Sequence, residues 1–371
     1  VYVHCPSSGF HTSANSFPLT CPSTGGPLEF TDLTHLSRDL IDEALPGQWR
    51  YWPWLSALLP IEKFITLGEG WTPLLEEEWQ GHRVLWKMDS HMPTGSYKDR
   101  GVSVMVNWFR HHGFRTVMDD SSGNAGASLA CYAARARLQS RIFVPADAPA
   151  PKRSQIATYG AELIEVEGPR HLAGAAAAAD QDQETGYASH ALHPCFLLGQ
   201  MTVAFEIWEQ LGGNAPDWLI GPVGNGGLLL GAWRGFELLV ESGLADRLPR
   251  LMVVQVANFD PLARAFEADA VSVKPAQRAP SRSVADGISI INPARGDSVL
   301  QAVYRSNGTV KVVNDREVLE ARAKMASRGI FVENTSATTC AAYAGHASDF
   351  EPGATVVGIL SGSGLKNAPA T

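Results

Sequence analysis

Pro93, Thr94, Gly95, Ser96, Tyr97, Lys98, Asp99, Arg100 and Gly101 set a lysine between two kinds of sequence. Before it stands a turn-forming cluster of Pro, Thr, Gly and Ser; after it the apolar positions Val102, Val104, Met105 and Val106 open a helix. A lysine amine condenses with an aldehyde to a Schiff base, provided desolvation or nearby positive charge keeps part of it unprotonated. A lone lysine is more often a solvated surface charge. Its company along the chain decides between the two.

Ser121, Ser122, Gly123, Asn124, Ala125 and Gly126 form a polar turn ahead of an Ala-rich helical run. Gly224, Asn225, Gly226 and Gly227 follow a strand and precede a helix, and Ser361, Gly362, Ser363 and Gly364 follow a last strand. Four motifs in order at compatible spacings are far more specific than any one of them. Together they resemble the pyridoxal-phosphate enzymes of fold type II, and within them threonine synthase most closely. The lysine motif there reads Pro, Thr, Gly, Ser, Phe, Lys, Asp, Arg, Gly, so this chain departs only at Tyr97. The resemblance covers about residue 60 to the end. It implies a two-domain α/β fold with pyridoxal 5'-phosphate on Lys98, held in the cleft between parallel-sheet domains, and a homodimer acting on a small amino-acid substrate.

At 371 residues the chain buries a full core and splits into two domains. A hydrophobic fraction of 45% with 18% charged residues is that of a soluble globular protein. The formal net charge of -8 supplies no basic field for phosphodiesters, which argues against nucleic acid as a partner. No apolar run reaches about 18 residues, so no transmembrane helix is expected. The first ten residues lack a basic region followed by an apolar core, and five cysteines in so long a chain suggest a reducing compartment. A cytoplasmic enzyme is the expectation.

The first 60 residues differ in texture from the rest and are expected to form an arm. Cys5-Pro6-Ser7-Ser8-Gly9 is echoed by Cys21-Pro22-Ser23-Thr24-Gly25. Many threonine synthases carry a zinc-ribbon-like segment here, with a second cysteine three positions after each first one; this chain has Ser8 and Thr24. A closed zinc site needs four ligands, usually thiolate or imidazole, so a relic ribbon that keeps the turns without metal is expected, even with His4 and His11 nearby. Trp49, Tyr51, Trp52 and Trp54 would pack this arm onto the body or onto a second subunit.

Residues 65–75 look like the family's entry loop, and 84–88 is a short strand delivering the lysine motif. Helices are expected at 102–110, 125–136 and 152–159, with strands at 116–118, 141–144 and 162–166. Such alternation implies right-handed crossovers and a parallel sheet. Further on, helices are expected at 173–183, 199–211, 228–240 and 316–327, with strands at 218–220, 252–256 and 354–360. The expected domains are 61–97 with 204–371 as the large one, and 98–203 as a small one inserted in it.

Glycine in the turn 224–227 removes the side chains that would block a phosphate from backbone amides, and the next helix adds its positive end. A dinucleotide fingerprint would need glycine where Leu229 stands, and a Walker loop a Lys followed by Ser or Thr; both spacings fail. Asn124 opens a helix, a place suited to an N-cap. By resemblance it holds the cofactor's phenolic oxygen, while Ser121, Ser122, Gly123 and Ala125 receive the substrate carboxylate. Ser361 matches the position that contacts the pyridine nitrogen. A hydroxyl there holds that nitrogen less firmly protonated than a carboxylate would, favouring loss of a side-chain leaving group over transamination. Glu333 resembles a family glutamate facing the site; a surface glutamate is an equal reading, since Asn334 and Thr335 replace the usual Pro and Ala.

The chemistry expected is elimination or replacement on a β- or γ-substituted amino acid. Lys98 is released by the substrate amine and takes the α-proton as general base. O-phosphohomoserine conversion to threonine and phosphate is the named reaction. Ala125 and Leu228 depart from polar family positions near the substrate phosphate, where each lost donor costs about a kilocalorie or more. A serine or threonine dehydratase, or a β-replacement enzyme of a specialised pathway, is therefore the second reading. A non-catalytic protein that binds vitamin B6 or an amino acid is a third. No serine has glycine two places on either side, and the eleven histidines include no HExxH pair, so hydrolase alternatives lack their motifs.

Overall fold

A computed structural model describes residues 1–14, 16–59, 61, 63–79, 81–146, 150–168, 171–182, 184–277 and 283–366. The chain divides into two compact units, Val1–Gly70 with Met92–Gln200, and Trp71–His91 with Met201–Thr371.

In the first unit, Tyr2–His4 is the centre of a three-stranded antiparallel sheet, flanked by His11–Ser13 and Glu29–Thr31. Val3, Cys5, Ala14, Cys21 and Leu28 fill its small core. The two cysteine turns are both formed, Gly9 N–H bonding to Cys5 O at 3.2 Å and Gly25 N–H to Cys21 O at 2.8 Å. Ser8 and Thr24 carry their hydroxyls to the sulfurs: Ser8 Oγ lies 3.2 Å from Cys21 Sγ and Thr24 Oγ1 3.5 Å from Cys5 Sγ. Among the described residues no group of three or more His, Cys, Asp or Glu is placed to hold a metal ion. The arm packs within this unit: Trp49 stacks on Phe64 with ring centroids 4.3 Å apart, and Phe17 lies 5.1 Å from Trp108.

The body of this unit is a four-stranded parallel sheet in the order Glu162–Val166, Gln139–Pro145, Thr116–Asp119, Thr185–Tyr187. The helices Lys98–His111, Asn124–Ala136, Ala150–Thr158 and His171–Ala179 alternate with these strands, as the hydrophobic periodicity predicts. The Ala-rich helix ends at Ala179, earlier than expected, and Gln183 lies outside the described residues. The strand Thr185–Tyr187 is too short to announce itself in sequence.

The second unit holds a six-stranded sheet in the order Thr309–Val313, Arg250–Val256, Trp218–Pro222, Val356–Ile359, His82–Lys87, Leu74–Trp79. All neighbours are parallel except the last pair. The central strands are continuous apolar runs because both faces are covered. Leu74–Trp79 falls partly on the expected entry loop. Its three consecutive glutamates mask a strand, and exposed charge is how an edge strand avoids further pairing. Asn334–His346, a mostly buried helix, is rich in Thr and Ser, which lowers its intrinsic helix propensity; packing makes it helical. By contrast Asp315–Ala326 carries a full capping box, Glu317 N–H bonding to Asn314 Oδ1 at 3.1 Å and Asn314 N–H to Glu317 Oε2 at 2.8 Å. Among the described residues no helix is long and apolar enough to cross a membrane.

Candidate functional site

Lys98 is the first residue of the helix Lys98–His111 and is half-buried. Its neighbour Asp99 is fully buried and fixes the turn. The Asp99 carboxylate accepts from Thr94 N–H at 2.7 Å, Thr94 Oγ1 at 2.6 Å and Ser128 Oγ at 2.6 Å. These bonds tie the lysine turn to itself and to the helix Asn124–Ala136, so the beginnings of both helices lie side by side within one unit. A second restraint comes from Gln48, whose Nε2 donates to Arg100 O at 3.0 Å and Ser103 Oγ at 2.7 Å. A third is close packing: a methyl group on Gly101 would stand 2.3 Å from the Phe196 ring, and one on Gly199 2.2 Å from Arg100 O. The lysine is thus presented by a rigid element.

The Lys98 amine is itself held by the residue before it. Nζ donates to Tyr97 Oη at 2.8 Å and lies 5.4 Å from the centroid of the Phe196 ring.

The turn 121–126 lies in the same unit. Ser121 is buried, and its Oγ accepts from Gly123 N–H at 3.3 Å; Ser122, Gly123 and Asn124 are half-buried, and Ala125 is buried. The expectation of Asn124 as an N-cap is corrected. Gly123 occupies that position, Asn124 is the first helical residue, and no side chain caps the helix.

The remaining predicted residues belong to the second unit. The strand Trp218–Pro222 runs into Gly224, and Gly226 adopts φ 96°, a left-handed conformation that favours glycine. The helix Gly227–Glu241 starts there with no side-chain cap, although Gly224, Gly226, Gly227 and Leu228 are all buried or nearly so. A helix start without a capping side chain leaves its first amides, at the positive end of the dipole, suited to an anion. Asn225 does not cap it either; its carbonyl accepts from Arg295 N–H at 3.1 Å.

Glu333 and Ser361 meet in the same unit. Glu333 is only 7% exposed, so the surface reading fails. It is the N-cap residue of Asn334–His346; its N–H bonds to Gly362 O at 3.0 Å, and its carboxylate lies against the Gly362 backbone. Ser361 is fully buried, with Oγ 3.1 Å from Ser336 Oγ. Ser336 in turn accepts from Gly362 N–H at 2.6 Å. Gly287 joins the glycine turn to this group: its N–H donates to Thr335 Oγ1 at 3.2 Å, and its carbonyl stands 3.0 Å from where a Gly224 Cβ would be.

Sequence reasoning missed Asp99, Ser128, Ser336 and Gly287 as supporting residues. Ser128 and Asp99 are 29 positions apart, and no spacing rule links them. Ser336 had a signal, the run of hydroxyl residues after Glu333, which gains meaning only once the strand ending at Ile359 returns beside it.

The profile of the family described as pyridoxal-phosphate dependent enzyme matches residues 65–362. The chain is 33% identical to the threonine synthase of Methanocaldococcus jannaschii, covering 99% of this chain and 93% of that protein. It is 36% identical to the threonine synthase of Synechocystis sp., covering 82% and 78%. Among solved structures, a threonine deaminase from T.th. superimposes with a TM-score of 0.70 at 26% identity, covering 81% of this chain and 94% of that one. The family match takes in Lys98, Asn124, Gly224 and Ser361 alike, and on that extent the chain belongs to the pyridoxal-phosphate dependent enzymes, of fold type II, whose cofactor is pyridoxal 5'-phosphate.

Proposed function

We propose that the protein catalyses elimination and replacement on a β- or γ-substituted amino acid, converting O-phosphohomoserine to threonine and phosphate. The observation that carries this is the near full-length similarity to threonine synthases, arm included. Its own residues fit the cofactor: a half-buried lysine amine on a rigid helix, and a buried glycine turn whose helix lacks a capping side chain.

When bound, the cofactor supplies an aldehyde for the lysine and a ring that accepts electrons. Lys98 would hold the aldehyde and, when free of it, would serve as the general base for the substrate's α-proton. The turn 224–227 and the first amides of Gly227–Glu241 would bind the phosphate. Asn124 would orient the phenolic oxygen, and the turn of Ser121, Ser122, Gly123 and Ala125 would receive the substrate carboxylate. Ser361 would offer the ring nitrogen a hydroxyl rather than a carboxylate, which would favour loss of a leaving group. Glu333, its carboxylate held against Gly362, would supply a carboxylate beside Ser361.

One observation favours a second reading. Ala125 and Leu228 are apolar and buried, each 2% exposed, where polar donors would recognise a substrate phosphoryl group. A serine or threonine dehydratase needs no such donors, and the similarity to a threonine deaminase supports it. Product analysis separates the readings. Threonine and phosphate released in equal amounts from O-phosphohomoserine support the synthase. An α-keto acid and ammonia from threonine or serine, with O-phosphohomoserine untouched, would replace it by the dehydratase. Tight amino-acid binding without turnover of any of the three would indicate a binding protein.

A further inference from the structure

We propose that Tyr97 is a second catalytic group, a proton relay that attaches aldehydes to, and releases them from, the Lys98 amine. The proposal rests on the reading of Lys98 as the cofactor lysine. Tyr97 Oη lies 2.8 Å from Lys98 Nζ, the atom that makes and breaks the covalent bond. Side chains one position apart on a helix do not face each other, so sequence adjacency alone does not produce this contact. Tyr97 sits instead at the cap position, at φ −53° and ψ −16°, with Lys98 opening the helix. Its carbonyl accepts from Gln200 Nε2 at 3.3 Å and from Arg100 N–H at 3.2 Å, which holds the backbone under the phenol. The rings of Tyr97 and Phe196, with centroids 4.6 and 5.4 Å from Nζ, flank the amine. The phenol is already hydrogen-bonded to the nitrogen, so a proton leaving Lys98 has a carrier in place.

The step balances without an oxidant or reductant. As Lys98 Nζ bonds to an aldehyde carbon, the nitrogen gives up both of its protons and the aldehyde oxygen leaves as water. Tyr97 Oη accepts these protons one at a time while passing its own hydroxyl proton to the departing oxygen, so the phenol is neutral before and after. When a substrate amine displaces the lysine, the two protons that amine gives up pass by way of the same phenol to Lys98 Nζ, which leaves as the amine.

The test uses the full chain freed of cofactor and follows covalent capture of pyridoxal phosphate by its visible absorbance. Tyr97→Phe keeps the ring and removes the oxygen. Capture is expected to slow at least ~10-fold, toward the ~10²-fold typical of a positioned proton-transfer group. Borohydride should still fix the same final amount of cofactor on Lys98. An unchanged capture rate would overturn the relay while leaving Lys98 as the cofactor lysine; failure to label Lys98 in the wild type would instead remove the underlying reading. If Tyr97→Phe does not fold, the unmodified chain decides: capture slows in deuterated water if a relay carries the protons, and no slowing overturns the proposal.

Discussion

Asp99 carries more of the site's geometry than its place beside the lysine advertises. Its carboxylate accepts short hydrogen bonds from Thr94 N–H, Thr94 Oγ1 and Ser128 Oγ in a fully buried setting, and the one from Ser128 is a polar link between the two helix starts in the first unit. Hydrogen bonds to a buried charge are worth about 1.5–3 kcal/mol. Ser128→Ala is therefore expected to lower the unfolding free energy by about 2 kcal/mol in denaturant titration; an unchanged midpoint would mean the bond contributes nothing. In the second unit the pair of Lys87 and Glu206, 2.7 Å apart with both side chains inaccessible, is the counterpart. Lys87 Nζ also donates to Thr72 O at 2.7 Å and Gln210 Oε1 at 2.9 Å. Glu206→Gln should cost about 3–5 kcal/mol, because it leaves a buried ammonium without its counter-charge. A loss below about 1 kcal/mol would show that the pair is not desolvated as described. At this scale the sequence marked the residues proposed for the chemistry, since Lys98, Asn124 and Ser361 stand in motifs. It could not reveal Asp99, Ser128 or Ser336, whose roles depend on which elements fold back beside them.

Elements explain why the lysine helix is fixed. The residues Gly101 and Gly199 let the helices Lys98–His111 and Pro194–Gln210 approach until a methyl group would overlap the Phe196 ring or the Arg100 carbonyl. Gly101→Ala should thus destabilise by about 1–3 kcal/mol, the usual cost of overpacking, and a neutral result in thermal unfolding would contradict so close a contact. The N-terminal ribbon makes a separate prediction. Burial raises the Cys21 thiol, but hydrogen bonds with the hydroxyls of Ser23, Ser8 and Thr24 outweigh it and bring the pKa down to about 5. A lowered value means the thiolate stabilises the fold. Its contribution is full above the pKa of an unfolded cysteine, about 8.5, shrinks below that, and is lost as pH falls through about 5. The gap in unfolding temperature between wild type and Cys21→Ser should be larger at about pH 8.5 than at about pH 5; an equal gap would count against the thiolate. Elements legible in the sequence were those with one dominant signal, such as the apolar strands of the sheets. The edge strand Leu74–Trp79 was hidden by its glutamates, and Asn334–His346 by Thr and Ser that only burial makes helical.

The whole molecule combines a lysine-bearing unit with a glycine-turn unit, and the four motifs that identify it are divided between them: Lys98 and residues 121–126 in one, residues 224–227 and 361–364 in the other. This is why no single motif was decisive in the sequence while their order was. Fold class was readable because strands and helices alternate over most of the chain. Substrate identity was not, because it turns on a few side chains such as Ala125 and Leu228, whose apolar character says what is missing rather than what is bound. The central claim is that Lys98 carries the cofactor. Borohydride treatment of the cofactor-replete protein followed by peptide mapping tests it most directly. The predicted result is one reduced pyridoxyl group per chain, on Lys98, with labelling and turnover both lost in Lys98→Ala. A label on another lysine, no label at all, or normal turnover by Lys98→Ala would contradict it.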